Sequence, residues 1–523
     1  MTFNIFRHNF YGEPDYLYAK MGLFEKRYSR EEILDKVTRK QNAIPHTSEY
    51  NSIPKIYILL PCLLVVMFVI FPIWLISFAP LVALYGLYKY QSYPKRTTQI
   101  MLEEKDVGEV GTEYGLAPDI INFDARTYDI VVFGVTGHSG SVLAEYLVER
   151  YIKAGSGLKI AVAGRTKEKI SKSLQKLAKH TDYSFALDIP MIIANTTDQD
   201  SINALVRNTR VVATTVGPFL KYGEPLVRAC ARYGTSYCDI TGENSWVQLM
   251  RAKYGSLAKA SDASIVSTTG VDSIPSDIGV LNVVQKFKKS HGIVPDRVDC
   301  LIEGAAGGIG GGTIDTFVQF MDNGAPPEYE LKNREKSGTT VFDSYYGLGY
   351  NRIAKQWTFP YIMAPINMKV VESTNTTLGY VPKLCYNEAM AVPSLFATLF
   401  LSLVSIIASS ILYFYPTRLI MFETGIIAKP SGAGPSRKTM SSGFLSQKFI
   451  ASTKDGKREE LKFKCIGDPG GMLTALFQAE IGVSLATRRN SVLSTGAGLT
   501  PGETLDFSKY TEFLKDTGMI VIE

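Results

Sequence analysis

Gly134, Gly137 and Gly140 stand three residues apart directly after the apolar run YDIVVF (128–133), and Val142, Leu143, Tyr146 and Leu147 then recur at helical spacing. Strand, glycine loop and helix in that order suit a pyrophosphate. The glycines let the backbone turn tightly and approach closely, while the helix start offers free N–H groups and a positive dipole end. A lone glycine triplet is weak evidence, and the flanking strand and helix are what make this one specific. Gly134, Thr136, Gly137, His138, Ser139 and Gly140 are therefore the predicted dinucleotide contacts of the loop. His138 borders the phosphates, so packing is a simpler role for it than that of a catalytic base.

A second apolar run, LKIAVA (158–163), ends in Gly164-Arg165-Thr166-Lys167. An acid at this place would bind the adenosine ribose hydroxyls and repel a 2′-phosphate. None is present, and Arg165 with Thr166 offers a guanidinium for bidentate phosphate contact and a hydroxyl beside it. NADP is the expected cofactor in preference to NAD, an ordinary solvated charge being the plain alternative for Arg165. The run RVVATT (210–215) continues into Val216-Gly217-Pro218. Ligands lie beyond the carboxyl ends of such strands, so Thr215, Val216, Gly217 and Pro218 are expected to follow the cofactor toward its nicotinamide.

Hydride transfer asks little of a protein beyond placing the cofactor against an electrophilic carbon and supplying a proton. Tyr222, Asp239, Glu243 and Asp272 fall at or just past predicted strand ends, with Tyr222, Asp239 and Asp272 the catalytic candidates. Each acid has a structural alternative: Asp239 and Glu243 can cap helices, and Asp272 can hold a turn before Pro275.

The elements that must position these groups are six short apolar runs at 128–133, 158–163, 190–194, 210–215, 235–240 and 263–268, separated by helical stretches. Alternation of this kind predicts an α/β fold, a Rossmann-type doubly wound parallel sheet over residues 127–285. Residues 286–523 are expected to form a second, α+β substrate domain, entered through the glycine loop GGIGGGT (307–313).

At 523 residues the chain has length for about three domains of roughly 150 residues each. Its 46% apolar and 20% charged residues are those of a folded protein. A net charge of +6 without basic patches argues against nucleic acid as a partner. Six cysteines without a C-x-x-C pair suit a reducing compartment, and five histidines without paired spacing argue against a metal.

Residues 1–55 are a polar extension whose nine basic and seven acidic residues match neither a secretory signal nor an acid-poor mitochondrial presequence. Residues 56–88 then carry no charge over 33 positions, more than the roughly 20 a bilayer requires. Pro72 lies at the midpoint, and the basic residues on the two flanks balance, as in a hairpin with both ends in the cytosol. A single tilted span is the alternative. Residues 89–126 read as a linker. A second uncharged stretch, 391–415, contains six Ser or Thr, and a monotopic, re-entrant or membrane-docked helix is expected there, with a buried core helix as the alternative.

The blocks VVFGVTGHSG (131–140), IAVAGRTKEKI (160–170), VGPFLKYGEPLVRACARYGTSYCDITGE (216–243) and TTGVDSIPSDIGV (268–280) resemble the saccharopine dehydrogenase-like oxidoreductases, among them lipid-droplet-associated animal proteins and bacterial trans-acting enoyl reductases. The resemblance is dense over about 127–285. Beyond that it rests on the glycine loop 307–313, the GPS at 434–436 and the TPG at 500–502. It has no counterpart for the first 126 residues, and His138 stands where relatives carry an aromatic residue.

The resemblance implies an NADP-dependent oxidoreductase reducing a C=C or C=O bond of a lipid, on the cytosolic face of the endoplasmic reticulum or a lipid droplet. Saccharopine itself is not the expected substrate, because residues 286–420 lack the arginine cluster its carboxylates would need. The competing reading is an inactive NADP(H)-binding protein with a structural or sensing role at a lipid surface. A homo-oligomeric state is left open.

Overall fold

The six apolar runs become six parallel strands: β1 (Tyr128–Phe133), β2 (Ile160–Gly164), β3 (Met191–Ile193), β4 (Thr209–Thr214), β5 (Ser236–Asp239) and β6 (Ser264–Val266). The computed structural model describes residues 23–24, 26–42, 100–102, 117–271, 273–308, 329–331, 336–342, 347–413 and 434–523. Spatial order is β3-β2-β1-β4-β5-β6, so the winding direction reverses between β1 and β4 and opens a crevice beyond their carboxyl ends. Helices α1 (His138–Leu147), α2 (Lys167–Thr181), α3 (Gln199–Arg207), α4 (Phe219–Tyr222), α5 (Glu224–Tyr233) and α6 (Asn244–Ala260) connect the strands. β1 shows why its run is apolar without alternation: Ile130 and Val132 enter one core, Val131 and Phe133 the other, and helices cover both faces.

The second sheet is mixed. Helix α7 (Ile274–His291) leads into β7 (Arg297–Ala306), β8 (Thr339–Phe342), β9 (Gly349–Asn351), β10 (Gln356–Pro360), helix α8 (Ala364–Leu378), β11 (Lys383–Val392), helices α9 (Leu395–Tyr413) and α10 (Arg437–Ser442), β12 (Phe444–Ser452) and β13 (Arg458–Ile466). A β-carbon on Gly279 of α7 would fall 2.3 Å from the Phe449 ring of β12, so α7 lies close against this sheet. The strands run β9-β10-β11-β7-β12-β13-β15, with β8 on β11 and β15 formed by Ile520–Ile522.

Between β13 and β15 the chain returns to the first sheet. Helix α11 (Thr474–Thr487) packs under it, and Gln478 Nε2 donates to the carbonyls of Thr214 (2.9 Å) and Cys238 (3.2 Å) at the ends of β4 and β5. Strand β14 (Gly496–Leu499) then pairs parallel with β6 as a seventh strand and covers that edge. Helix α7, which spans residue 285, packs on the second sheet, and α11 and β14 serve the first. A four-residue strand with two glycines, GAGL, carries no apolar run by which it could be read.

Helix Arg30–Asn42 docks on the second sheet, with Ile33 and Val37 buried against Phe444, Ile466 and Val521. Its Lys40 ammonium donates to the carbonyls of Ser442 (2.9 Å) and Gly443 (3.3 Å), and burial lowers that lysine to about 8. The uncharged stretch 56–88 lies outside the described residues. Of stretch 391–415, the described residues 391–413 hold the end of β11 followed by α9, on which Phe396 and Leu399 are exposed. Among the described residues no helix is long and apolar enough to cross a membrane.

Candidate active site

Gly134 turns the chain out of β1 at φ +105°, where only glycine sits without strain. The Gly137 N–H donates to the Gly134 carbonyl at 3.0 Å, closing the loop. A β-carbon on Gly140 would lie 2.3 Å from that carbonyl oxygen and 2.8 Å from Thr215 Oγ1, so α1 rests directly on the ends of β1 and β4. Gly137 is the N-cap of α1, and among the described residues no side chain caps this helix. Its first-turn N–H groups are therefore open to an anion.

The neighbouring helix start is closed. Asp468 takes the N–H groups of Gly471 (3.1 Å) and Met472 (2.9 Å), and also those of Gly308 and Gly470, while burial raises its carboxyl above the ordinary range. Of these two helix starts, α1 is the one fitted to phosphate. Asp468 instead anchors Gly308, the second residue of the second glycine loop; residues 309–313 of that loop lie outside the described residues.

At the end of β2, Arg165 is exposed and makes no hydrogen bond or ion pair among the described residues. Thr166 holds the N-cap position of α2 without its hydroxyl serving as the cap. Thr136 is next to them, its methyl 3.9 Å from where a β-carbon on Gly164 would stand. A cation and two hydroxyls thus surround this corner, with no carboxylate at the end of β2. Ser139, in the first turn of α1, is half-buried.

The β4 loop is held from below. Glu243 accepts the N–H groups of Phe219 (3.1 Å) and Leu220 (2.6 Å), fixing α4 and with it Thr215, Val216, Gly217 and Pro218. Desolvation raises the Glu243 carboxyl despite these bonds. Tyr222, at the end of α4, is half-buried with the Lys221 ammonium 5.1 Å from its ring centroid, and its hydroxyl makes no hydrogen bond among the described residues.

Asp239 is fully buried. Oδ1 accepts the N–H groups of Thr241 (2.9 Å) and Thr268 (3.2 Å), and Oδ2 the hydroxyls of Tyr237 (2.8 Å) and Ser267 (3.2 Å). Burial pushes this carboxyl up to about 6 against the pull of those bonds. The residue ties the loop after β5 to the loop after β6. Asp272 lies outside the described residues; its neighbour Val271 donates to Thr474 Oγ1 at 3.2 Å.

Sequence reasoning missed three side chains that set this geometry: Asp468, Gln478 and Glu145. The last is buried on α1 and accepts Arg437 bidentately at 2.7 and 2.8 Å. A carboxylate inside the apolar stretch Val142–Leu147 was the available signal, since such groups are seldom buried unpaired. Asp468-Pro469 before an apolar run was legible as a helix cap. Gln478 had no local signal. His138 also differs from a phosphate ligand in solvent: its Nε2 is buried without a partner among the described residues, and desolvation lowers its pKa. Among the described residues no group of His, Cys, Asp and Glu is placed to hold a metal.

A glycine loop opening onto an uncapped helix, with a cation in place of the ribose-binding acid, defines an NADP-dependent oxidoreductase. The family model of the saccharopine dehydrogenase NADP-binding domain matches residues 130–266. A trans-acting enoyl reductase of Mycobacterium tuberculosis is 31% identical over 405 residues, covering 72% of this chain and 93% of that protein. That of Mycobacterium leprae is 28% identical, covering 76% and 98%. Among solved structures, saccharopine dehydrogenase (L-Glu forming) of Saccharomyces cerevisiae aligns at a TM-score of 0.41 with 12% identity over 75% of this chain and 99% of that one. The chain belongs to the saccharopine dehydrogenase-like oxidoreductase family, together with the trans-acting enoyl reductases.

Proposed function

We propose that this oxidoreductase reduces a C=C or C=O bond of a lipid on the cytosolic face of a membrane or lipid droplet. The observation that carries the cofactor half is the uncapped start of α1 beside Arg165. The name carried by relatives covered over more than nine-tenths of their length supports the substrate class, an enoyl group being a C=C bond conjugated to a carbonyl. Bound in this cradle, NADPH supplies a hydride. The chain does the rest: Gly134, Gly137, Ser139 and Gly140 hold the pyrophosphate, Arg165, Thr166 and Thr136 the ribose phosphate, and Thr215–Pro218 the nicotinamide side.

Reduction also consumes one proton, delivered to the second carbon of a C=C or to the oxygen of a C=O. Tyr222 is the donor proposed, since its hydroxyl makes no hydrogen bond among the described residues whereas both oxygens of Asp239 are taken up by protein donors. Attachment to lipid is supported by the uncharged stretch 56–88 and by the exposed Phe396, Leu399 and Ile406 of α9. The test incubates the purified chain with NADPH and membrane lipid extract, following cofactor oxidation and lipids heavier by two hydrogens. Turnover lost in Tyr222→Phe with NADPH affinity intact is the expected result. NADPH binding without any reduced lipid would favour a sensing or structural role.

A further inference from the structure

We propose that residues 434–437 form a strap across the mouth of the dinucleotide loop, and that the Glu145–Arg437 pair is the positioning device that holds it there and sets how fast NADP(H) leaves. The inference rests on the cofactor assignment alone and not on the lipid substrate.

The strap has a measurable path. Arg437 grips Glu145, seven residues beyond His138 on α1, which is about 10.5 Å of helix rise. Three residues earlier, Gly434 meets the His138 ring so closely that a β-carbon on it would lie 2.1 Å from the ring. Three extended residues span about 10 Å, and Ser436 is extended at φ −65°, ψ 157°. The strap therefore runs beside α1 from its interior back to its phosphate-binding end. On its other side, a β-carbon on Gly308 would lie 2.4 Å from Pro435, so the strap fills the gap between the two glycine loops.

Its anchor is built to last. The Glu145 side chain is 3% exposed and that of Arg437 16%, so salt screens the pair weakly. The same carboxylate accepts the Leu23 N–H at 3.2 Å and faces His180 Nδ1 at 3.6 Å. Nothing in the first turn of α1 needs this pair to fold the glycine loop, which closes on its own through Gly137 and Gly134. The pair acts on the strap, and the strap stands, through Gly434 against the His138 ring, at the N-terminal end of α1.

Stopped-flow displacement of NADPH from the full chain is the test. Removing Arg437 alone would strand a buried carboxylate, so both charges are removed together in E145Q/R437M. Release should quicken by about tenfold while association changes by less than about threefold, and Arg437→Lys should restore most of the slow release. Gly434→Ala displaces the strap without touching the ion pair and should quicken release as well, except in a His138→Ala background, where no ring remains to collide. Unchanged release in both E145Q/R437M and Gly434→Ala overturns the strap while leaving the cofactor site standing. Failure of the unaltered chain to bind NADPH overturns the cofactor assignment and the strap with it.

Discussion

Gly140 lies so close to Gly134 that a β-carbon on Gly140 would stand 2.3 Å from the Gly134 carbonyl oxygen. Helix and loop can meet at this distance only without a side chain between them, and the meeting aims the free N–H groups of α1 at the crevice. Gly140→Ala should therefore push α1 off β1, cost about 1–3 kcal/mol of stability and weaken NADPH binding at least tenfold. Gly137→Ala, with 3.4 Å to the same oxygen, should be much milder, whereas Gly137→Asp should abolish binding by placing a carboxylate against the phosphates. Calorimetric titration of the three variants separates the effects; equal affinity for Gly140→Ala and the unaltered chain would refute the close packing as a requirement.

Arg165 makes no hydrogen bond or ion pair among the described residues at the end of β2, so its loss should cost no fold stability and only selectivity. Arg165→Ala is expected to weaken NADPH by about 1.5–3 kcal/mol, the range for hydrogen bonds to charged groups, with NADH nearly unaffected. The loss should shrink at high salt because the side chain is exposed. Parallel losses for NADPH and NADH would contradict its role as the 2′-phosphate partner.

The pH dependence of stability should carry the signature of Asp239. Folding lifts its carboxyl from 3.8 to about 6, so the native state holds the proton more tightly than the unfolded chain. Its contribution is full below about pH 4 and is lost as pH rises to about 6, on the order of 3 kcal/mol from this one group. Asp239→Asn has no proton to release. Its oxygen can accept the Thr241 and Thr268 N–H groups, and the Tyr237 and Ser267 hydroxyls can turn to accept from its amide. Denaturant midpoints of the two proteins should draw together in the unaltered chain's disfavour between pH 4 and 6 and run parallel above; parallel curves throughout would exclude the linkage.

Much of the first sheet was legible because its central strands are buried on both faces and so carry apolar residues in succession, as Ile130 to Phe133 of YDIVVF do. The strand GAGL was not, for its pairing with β6 depends on a chain return across more than two hundred residues rather than on local pattern. The same holds at the site. The Gly134–Gly140 loop declares itself through spacing, and Arg165 through its place after β2. Glu145 meets Arg437 across 292 residues, and only the folded chain shows the two together. Asp239 shows the converse: its position was right for a proton donor, but spacing cannot reveal that four protein donors already surround it.

The docking of helix Arg30–Asn42 bears on topology. Ile33 and Val37 of this helix share a core with Phe444, Ile466 and Val521, and Arg30 pairs with Glu523. Residues before the uncharged stretch 56–88 are thus packed on the same body as residues long after it. A single crossing of a bilayer would put those two groups on opposite sides and tear this core apart, at a cost that burial of two aliphatic side chains alone places at about 3–6 kcal/mol. If 56–88 enters lipid, it must return to the side it left, as a hairpin does; the 33 uncharged residues with Pro72 at their midpoint suit such a turn. The check uses two single-cysteine reporters, Arg39→Cys on the helix and Asp455→Cys on the exposed turn between β12 and β13, in sealed microsomes. An impermeant maleimide added outside should label both equally. Labelling of only one before the membrane is opened would establish a single span and dismiss the hairpin.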